Sequence, residues 1–78
     1  MTYTPELLDE LNVLLLFKLT TTQEGIKVHK TADPSKINAV IRLYEKGLVT
    51  QKDGGYLTDL GRELTEHVQS ALTILTSA

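Results

Sequence analysis

The sequence predicts a mainly α fold with one small β-hairpin (α+β), ordered helix, short helix or turn, helix, β-hairpin, helix. Three observations predict it. Thr4-Pro5 and Asp33-Pro34 are two helix starts of one form, a capping side chain followed by proline, and each precedes apolar residues at helical spacing. Asp53-Gly54-Gly55 separates two short β-friendly runs, residues 48–52 and 56–58, and its glycines suit the positive φ of a tight hairpin. Thr58 or Asp59 then caps a last, long helix.

In the first helix Glu6 suits the positive N-terminal end, and Leu7, Leu8, Leu11, Leu14 and Leu15 follow helical spacing. Val13, Leu16 and Phe17 make the opposite side apolar too, and a helix apolar nearly all round requires burial nearly all round. A small domain covers one face, so the sequence predicts a homodimer; the alternative is that the hairpin and last helix wrap the first helix completely. Residues 20–32 read less clearly. Thr21 and Glu24 have capping-box spacing, yet Gly25 interrupts it and Ile26-Lys27-Val28 alternates like a strand. A short helix or turn is expected, with Ile26 and Val28 packing inward. The helix after Asp33 buries Ile37, Val40, Ile41 and Tyr44 on this reading and stops at Gly47. The last helix carries Leu60, Leu64, Val68, Ala71, Leu72 and Leu75, of which Leu64, Val68, Ala71 and Leu75 step by four, three and four.

The 78 residues are enough for one domain, 1–78, though one of marginal size. There is no cysteine to staple it. Net charge is -2, but residues 25–52 carry +4 and the remainder -6. A basic middle between acidic ends is a charge pattern that suits a nucleic-acid face. The start of the chain bears Glu6, Asp9 and Glu10 where a secretion signal carries cations, and the longest apolar run, residues 13–17, is far short of the roughly 20 needed to span a bilayer. A cytoplasmic location is expected.

The stretch "IRLYEKGLVTQKDGGYLTDLGREL" resembles winged helix-turn-helix DNA-binding regulators. In such proteins a recognition helix ends in a Leu-x-x-x-Gly-Leu-Val phrase, here Leu43 to Val49. A hairpin and a Leu-Thr-x-x-Gly-Arg phrase, here Leu57 to Arg62, come after it. The likeness covers the second half of the chain well and weakens before Asp33, where a supporting helix should stand. The whole chain is similar to a family of short, uncharacterised bacterial proteins often described as DNA-binding, through "PELLDELNVLLLF", "TQEGIKVH" and "DGGYLTDLGRE".

The resemblance implies that the helix over residues 34–46 enters a major groove of double-stranded DNA. Ser35, Asn38, Ala39 and Arg42 would line the entering face, with Asn38 suited to adenine, Arg42 to guanine and Ala39 to a thymine methyl. Lys27, Lys30, Lys36, Lys46 and Lys52 would hold phosphates. The plainer reading makes this face the solvated side of an amphipathic helix. Lys52 is the one cation at the hairpin turn, which makes the hairpin a weak DNA wing. The dimer interface is expected at Val13, Leu16, Phe17, Leu64, Val68, Ala71 and Leu75. A two-fold dimer would favour a palindromic site with half-sites about 34–36 Å apart or a multiple of that. The competing class is a protein–protein interaction module of the same fold that binds no DNA. No recognised catalytic motif is present, and Glu63 with His67, four apart on the last helix, falls short of a metal ligand set. The chain is therefore expected to be a non-enzyme without cofactor or metal.

Overall fold

The chain enters helix α1 (Pro5–Leu14) as the sequence implies. The Thr4 hydroxyl accepts a hydrogen bond from the Leu7 N–H at 3.2 Å, and Pro5 fills the first turn. The computed structural model describes residues 2–21 and 23–77. Beyond α1 lie strand β1 (Ile26–Lys27), helix α2 (Pro34–Glu45), strands β2 (Val49–Gln51) and β3 (Gly54–Leu57), and helix α3 (Asp59–Thr76). The strands form one antiparallel sheet in the order β1-β3-β2. Three helices around this sheet give an α+β fold in a winged-helix-like arrangement.

Helix α1 stops sooner than its leucines suggest. After Leu14 the chain tightens, with the Leu16 N–H bonded to the Val13 carbonyl and the Phe17 N–H to the Leu14 carbonyl. This turn swings Phe17 back into the core. Residues 20–32 contain no helix among the described residues, and Thr22 lies outside them. The capping-box spacing of Thr21 and Glu24 goes unused, because the Thr21 hydroxyl accepts from the nearer Gln23 N–H. The segment instead supplies β1, which places Ile26 and Val28 against the core as expected. A turn closed from the Ala32 N–H to the His29 carbonyl, at 2.9 Å, stands where a supporting helix would be. The Arg62 guanidinium holds the loop before β1, donating to the carbonyls of Leu19 and Thr21 at 2.8 and 3.0 Å.

Helix α2 starts at Pro34, but the Asp33 side chain makes no cap bond there; the Asp33 carbonyl accepts from the N–H groups of Lys36 and Ile37. Its rotation is the main departure from expectation. The buried residues are Ala39, Val40 and Leu43, whereas Tyr44 is exposed and Ile37 and Ile41 are half-buried. At about 100° per residue, the buried stripe sits about one residue's rotation away from Ile37, Val40, Ile41 and Tyr44. Only Val40 belongs to both.

The hairpin is close to its sequence reading. The loop, however, is Lys52-Asp53 between the Gln51–Gly54 pair rather than Asp53-Gly54-Gly55, and Gly54 and Gly55 open β3, where both take positive φ. A register shift between Val49 and Gln51 leaves an extra residue on β3, where the Thr50 hydroxyl accepts the Tyr56 N–H at 2.9 Å. Gly54 is required twice over: its φ is +125°, and a Cβ there would press on Ile26 of β1. Thr58 then caps α3, accepting the Gly61 N–H at 3.0 Å while its hydroxyl donates to the Gly47 carbonyl at 2.7 Å. One side chain thus ties the start of α3 to the end of α2.

The core gathers Val13, Leu14 and Phe17 with Ala39, Val40 and Leu43 of α2 and Leu48 and Val49 at β2. Val13 and Phe17, expected at a dimer interface, are therefore spent inside the protomer: α2 and the turn after Leu14 cover the face that seemed to need a second copy. Helix α3 closes the core at Gly61, which lies against the Leu48 carbonyl, and at fully buried Thr65. A Cβ at residue 61 would overlap that carbonyl oxygen. Gly61→Ala is expected to lower stability in urea unfolding by about 1–3 kcal/mol. A change within about 0.5 kcal/mol, as at an ordinary surface site, would show that α3 does not dock there.

Candidate nucleic-acid interface

The face expected to read DNA points largely toward α1. Ala39 is 0 % exposed and touches no solvent, which overturns its assignment to a thymine methyl. Its small side chain lets α1 and α2 approach closely. Ser35 is exposed, but it lies beside Asp9, Asn12 and Leu16 in the cleft between the two helices. Arg42 and Lys46, one turn apart on α2, converge on Glu10 of α1. Arg42 Nε donates to Glu10 Oε2 at 3.1 Å, Lys46 Nζ donates to Glu10 Oε1, and Arg42 Nη2 reaches the Glu6 carbonyl at 3.1 Å. Both cations are committed within the protomer rather than held out as a guanine reader and a phosphate contact.

Glu10 explains this arrangement. It shares a face of α1 with Leu7, Leu14 and Phe17, the core-facing side, and is only 5 % exposed. A carboxylate so buried requires ion partners or loses its hydration without compensation. Conversely, cations four apart on one helix repel each other, and a carboxylate between them turns that pair to advantage. Sequence reasoning counted Glu10 as one more N-terminal acid. Its position three and four residues from Leu7 and Leu14 was the available signal.

Four of the eight cations thus have partners within the protomer: Arg42 and Lys46 on Glu10, Arg62 on two carbonyls, and Lys18, which forms an exposed surface pair with Glu24 at 3.3 Å. The other four, Lys27, Lys30, Lys36 and Lys52, are exposed and have no ion-pair partner among the described residues. Lys30 and Lys52 rim a groove of about 330 Å³ between α2 and the sheet, with His29 and Asp53 beside them and Val28, Ile37, Val40 and Ile41 as its floor. Lys27 sits on β1 directly across from Gly54, next to the Lys52-Asp53 loop. Lys36 stands apart, at the other edge of α2 near Asp9. Of the expected base-reading residues, exposed Asn38 alone shares the open face of α2 with Ile37 and Ile41.

This chain belongs to DUF5669, a family of unknown function, whose match runs over residues 1–76. No curated protein and no solved structure matches it. Family membership therefore covers nearly the whole fold, from the cap of α1 to the end of α3, and leaves the chemistry of the groove to be read from its residues.

The remaining residues expected at a dimer interface divide by position. Leu16 is exposed at the end of the α1 turn, Leu64 and Val68 are half-buried, and Ala71 and Leu75 stand in solvent. Among the described residues no three His, Asp or Glu side chains gather to hold a metal ion, and no helix is long and apolar enough to cross a membrane. The Glu10 cluster gives a direct stability test. Glu10→Ala leaves two cations facing each other and is expected to lower unfolding free energy by about 1–3 kcal/mol, below the usual range for a buried pair because both cations reach solvent. Lys46→Ala leaves Glu10 on Arg42 and is expected to lose under about 1 kcal/mol. Equal losses in chemical denaturation would refute a carboxylate-centred clamp.

Proposed function

We propose that the protein binds double-stranded DNA as a homodimer, in a transcription-regulator-like role in the cytoplasm, using the groove between α2 and the hairpin. The observation that carries this reading is the division of its cations. Four have partners within the protomer, Arg42, Lys46 and Arg62 against the body of the fold and Lys18 at its surface, while Lys27, Lys30 and Lys52 stand beside the open face of α2 with no ion-pair partner among the described residues. Unpaired cations along one edge of a winged-helix-like fold suit phosphate contacts, which position a protein on a duplex without reading sequence. On this reading Asn38, exposed on that face, reads a base, with adenine N6 and N7 as its matching edge. Ile37 and Ile41 beside it suit thymine methyls, the contact first assigned to Ala39.

The surface is only mildly basic, since Asp53 and Glu45 also stand on this side. With three or four phosphate contacts, the logarithm of affinity should fall against the logarithm of salt with a slope of about -3. Lys30→Ala and Lys52→Ala should each flatten that slope by about one and weaken all sequences alike. Asn38→Ala should relax sequence preference and leave the slope unchanged. Selection from random duplex DNA at low salt is expected to return an enriched site; recovery of none would end the DNA reading.

One observation favours a second reading. The floor of the groove is aliphatic, which suits a protein segment bearing apolar and acidic side chains better than a phosphate backbone. On that reading the same lysines bind carboxylates, and the DNA selection comes back empty.

A further inference from the structure

Helix α3 runs past the body that supports it. Its 18 residues extend about 27 Å at 1.5 Å per residue. The first half is held by Gly61, Leu64 and Thr65, yet every described residue from 71 onward is exposed. The exposed part is not polar: Leu75 is 82 % and Ile74 73 % exposed, with Ala71 and Leu72 beside them. From Val68 to Ser77 the helix bears no charge. The inward stripe that begins at Leu64 simply continues, through Val68, Ala71 and Leu75, beyond the end of the core.

We infer that this overhang is covered by α3 of a second copy, running antiparallel, with Leu75 of each chain seated on Leu64 of the other. The spacing of the stripe carries the orientation. Steps of four, three and four read the same in both directions. An antiparallel pair crossing between Gln69 and Ser70 therefore sets Leu64 against Leu75 and Val68 against Ala71, both ways round, as a two-fold interface requires. Ala71 and Val68, the smaller residues, fall nearest the crossing, where the helices approach most closely. Charge favours the same choice. In this register Glu63 and Glu66 come level with Thr76 and Thr73, whereas a parallel pair brings each acid level with its own copy.

The receiving surface is already shaped. Beside Leu64 lies a pocket of about 220 Å³, walled mainly by Leu7, Leu11, Leu43 and Leu48 and bordered also by the paired Glu10 and Lys46. An apolar cavity of about 150 Å³ stays dry and holds a benzene-sized group, so this one has room for a leucine side chain. The partner's Leu75 is the occupant that the register delivers there. The pairing is a property of α3 and does not depend on what α2 binds.

Sedimentation equilibrium of the full chain, without DNA, tests the stoichiometry. The interface is small beside a standard protein–protein contact, so dimer is expected to dominate by about 100 μM rather than at nanomolar concentration. Leu75→Asp, at a site exposed in the protomer, should keep the helical circular dichroism and weaken dimerisation at least tenfold. Because the chain has no cysteine, single cysteines report the orientation. Ala71→Cys lies about 4.5 Å along the axis from its copy in the antiparallel pair, and Thr76→Cys about 20 Å from its copy. Disulfide dimers are expected from the first and not the second. Monomer throughout the micromolar range, a dimer indifferent to Leu75→Asp, or equal cross-linking of both cysteines would overturn the inference.

Discussion

The rest of the structure depends on the burial of one carboxylate. Glu10 sits on the core face of α1, where a charge survives only with partners, and α2 supplies Arg42 and Lys46. Supplying them fixes how α2 is rotated. With those cations turned toward α1, Ala39 must lie in the contact, Val40 and Leu43 fill the core, and Ile37, Asn38 and Ile41 face outward. A greasier packing of α2, with Ile37, Ile41 and Tyr44 inside, would turn Arg42 and Lys46 from α1 and leave Glu10 buried alone. The loss of apolar burial is offset by avoiding that unpaired charge.

Once α2 is oriented, the remaining elements follow from close backbone contacts. Thr58 links the start of α3 to the last turn after α2, and Gly61 lets α3 lie directly on Leu48. Gly54 lets β1 pair with β3 without a side chain between them. The groove beside Lys30 and Lys52 exists because β1 and the hairpin loop are held there while Ile37 and Ile41 are left uncovered. Its mixed character, aliphatic floor and cationic rim, is thus a consequence of the Glu10 clamp on the far side of the same helix.

How much of this was legible in the sequence depended on range. Thr4-Pro5 and the Thr58 cap act within three or four residues, and each stands as the sequence implies; Gly54 and Gly55 take the positive φ expected of them, but as the first residues of β3 after a Lys52-Asp53 loop. Thr21 and Glu24 had the right spacing for a cap, but β1 pairing with β3, some 29 residues away, drew the segment into a strand. The rotation of α2 was hidden for the same reason. Its decisive partner lies 32 residues upstream in another helix, and apolar periodicity alone favoured the wrong stripe. Four apolar positions pointed to Ile37, Val40, Ile41 and Tyr44; one buried acid outweighed them. The apparent excess of apolar surface on the first helix had a further cause, since the turn after Leu14 redirects Phe17 inward. The candidate site suffered most, because Ser35, Ala39 and Arg42 were placed by a rotation that Glu10 forbids, while Lys27, Lys30 and Lys52 needed only to be exposed.

The rotation of α2 can be measured directly in a chain that has no cysteine of its own. Cysteine is introduced singly at Asn38, Ala39 and Ile41, and the rate of labelling by a thiol reagent is compared under native conditions. The account predicts rapid labelling at residue 38, intermediate labelling at residue 41 and protection at residue 39, where reaction waits on opening of the α1–α2 contact. Labelling at residue 39 as fast as at residue 38, with residue 41 protected, would contradict it and restore the orientation that turns Ser35, Ala39 and Arg42 outward.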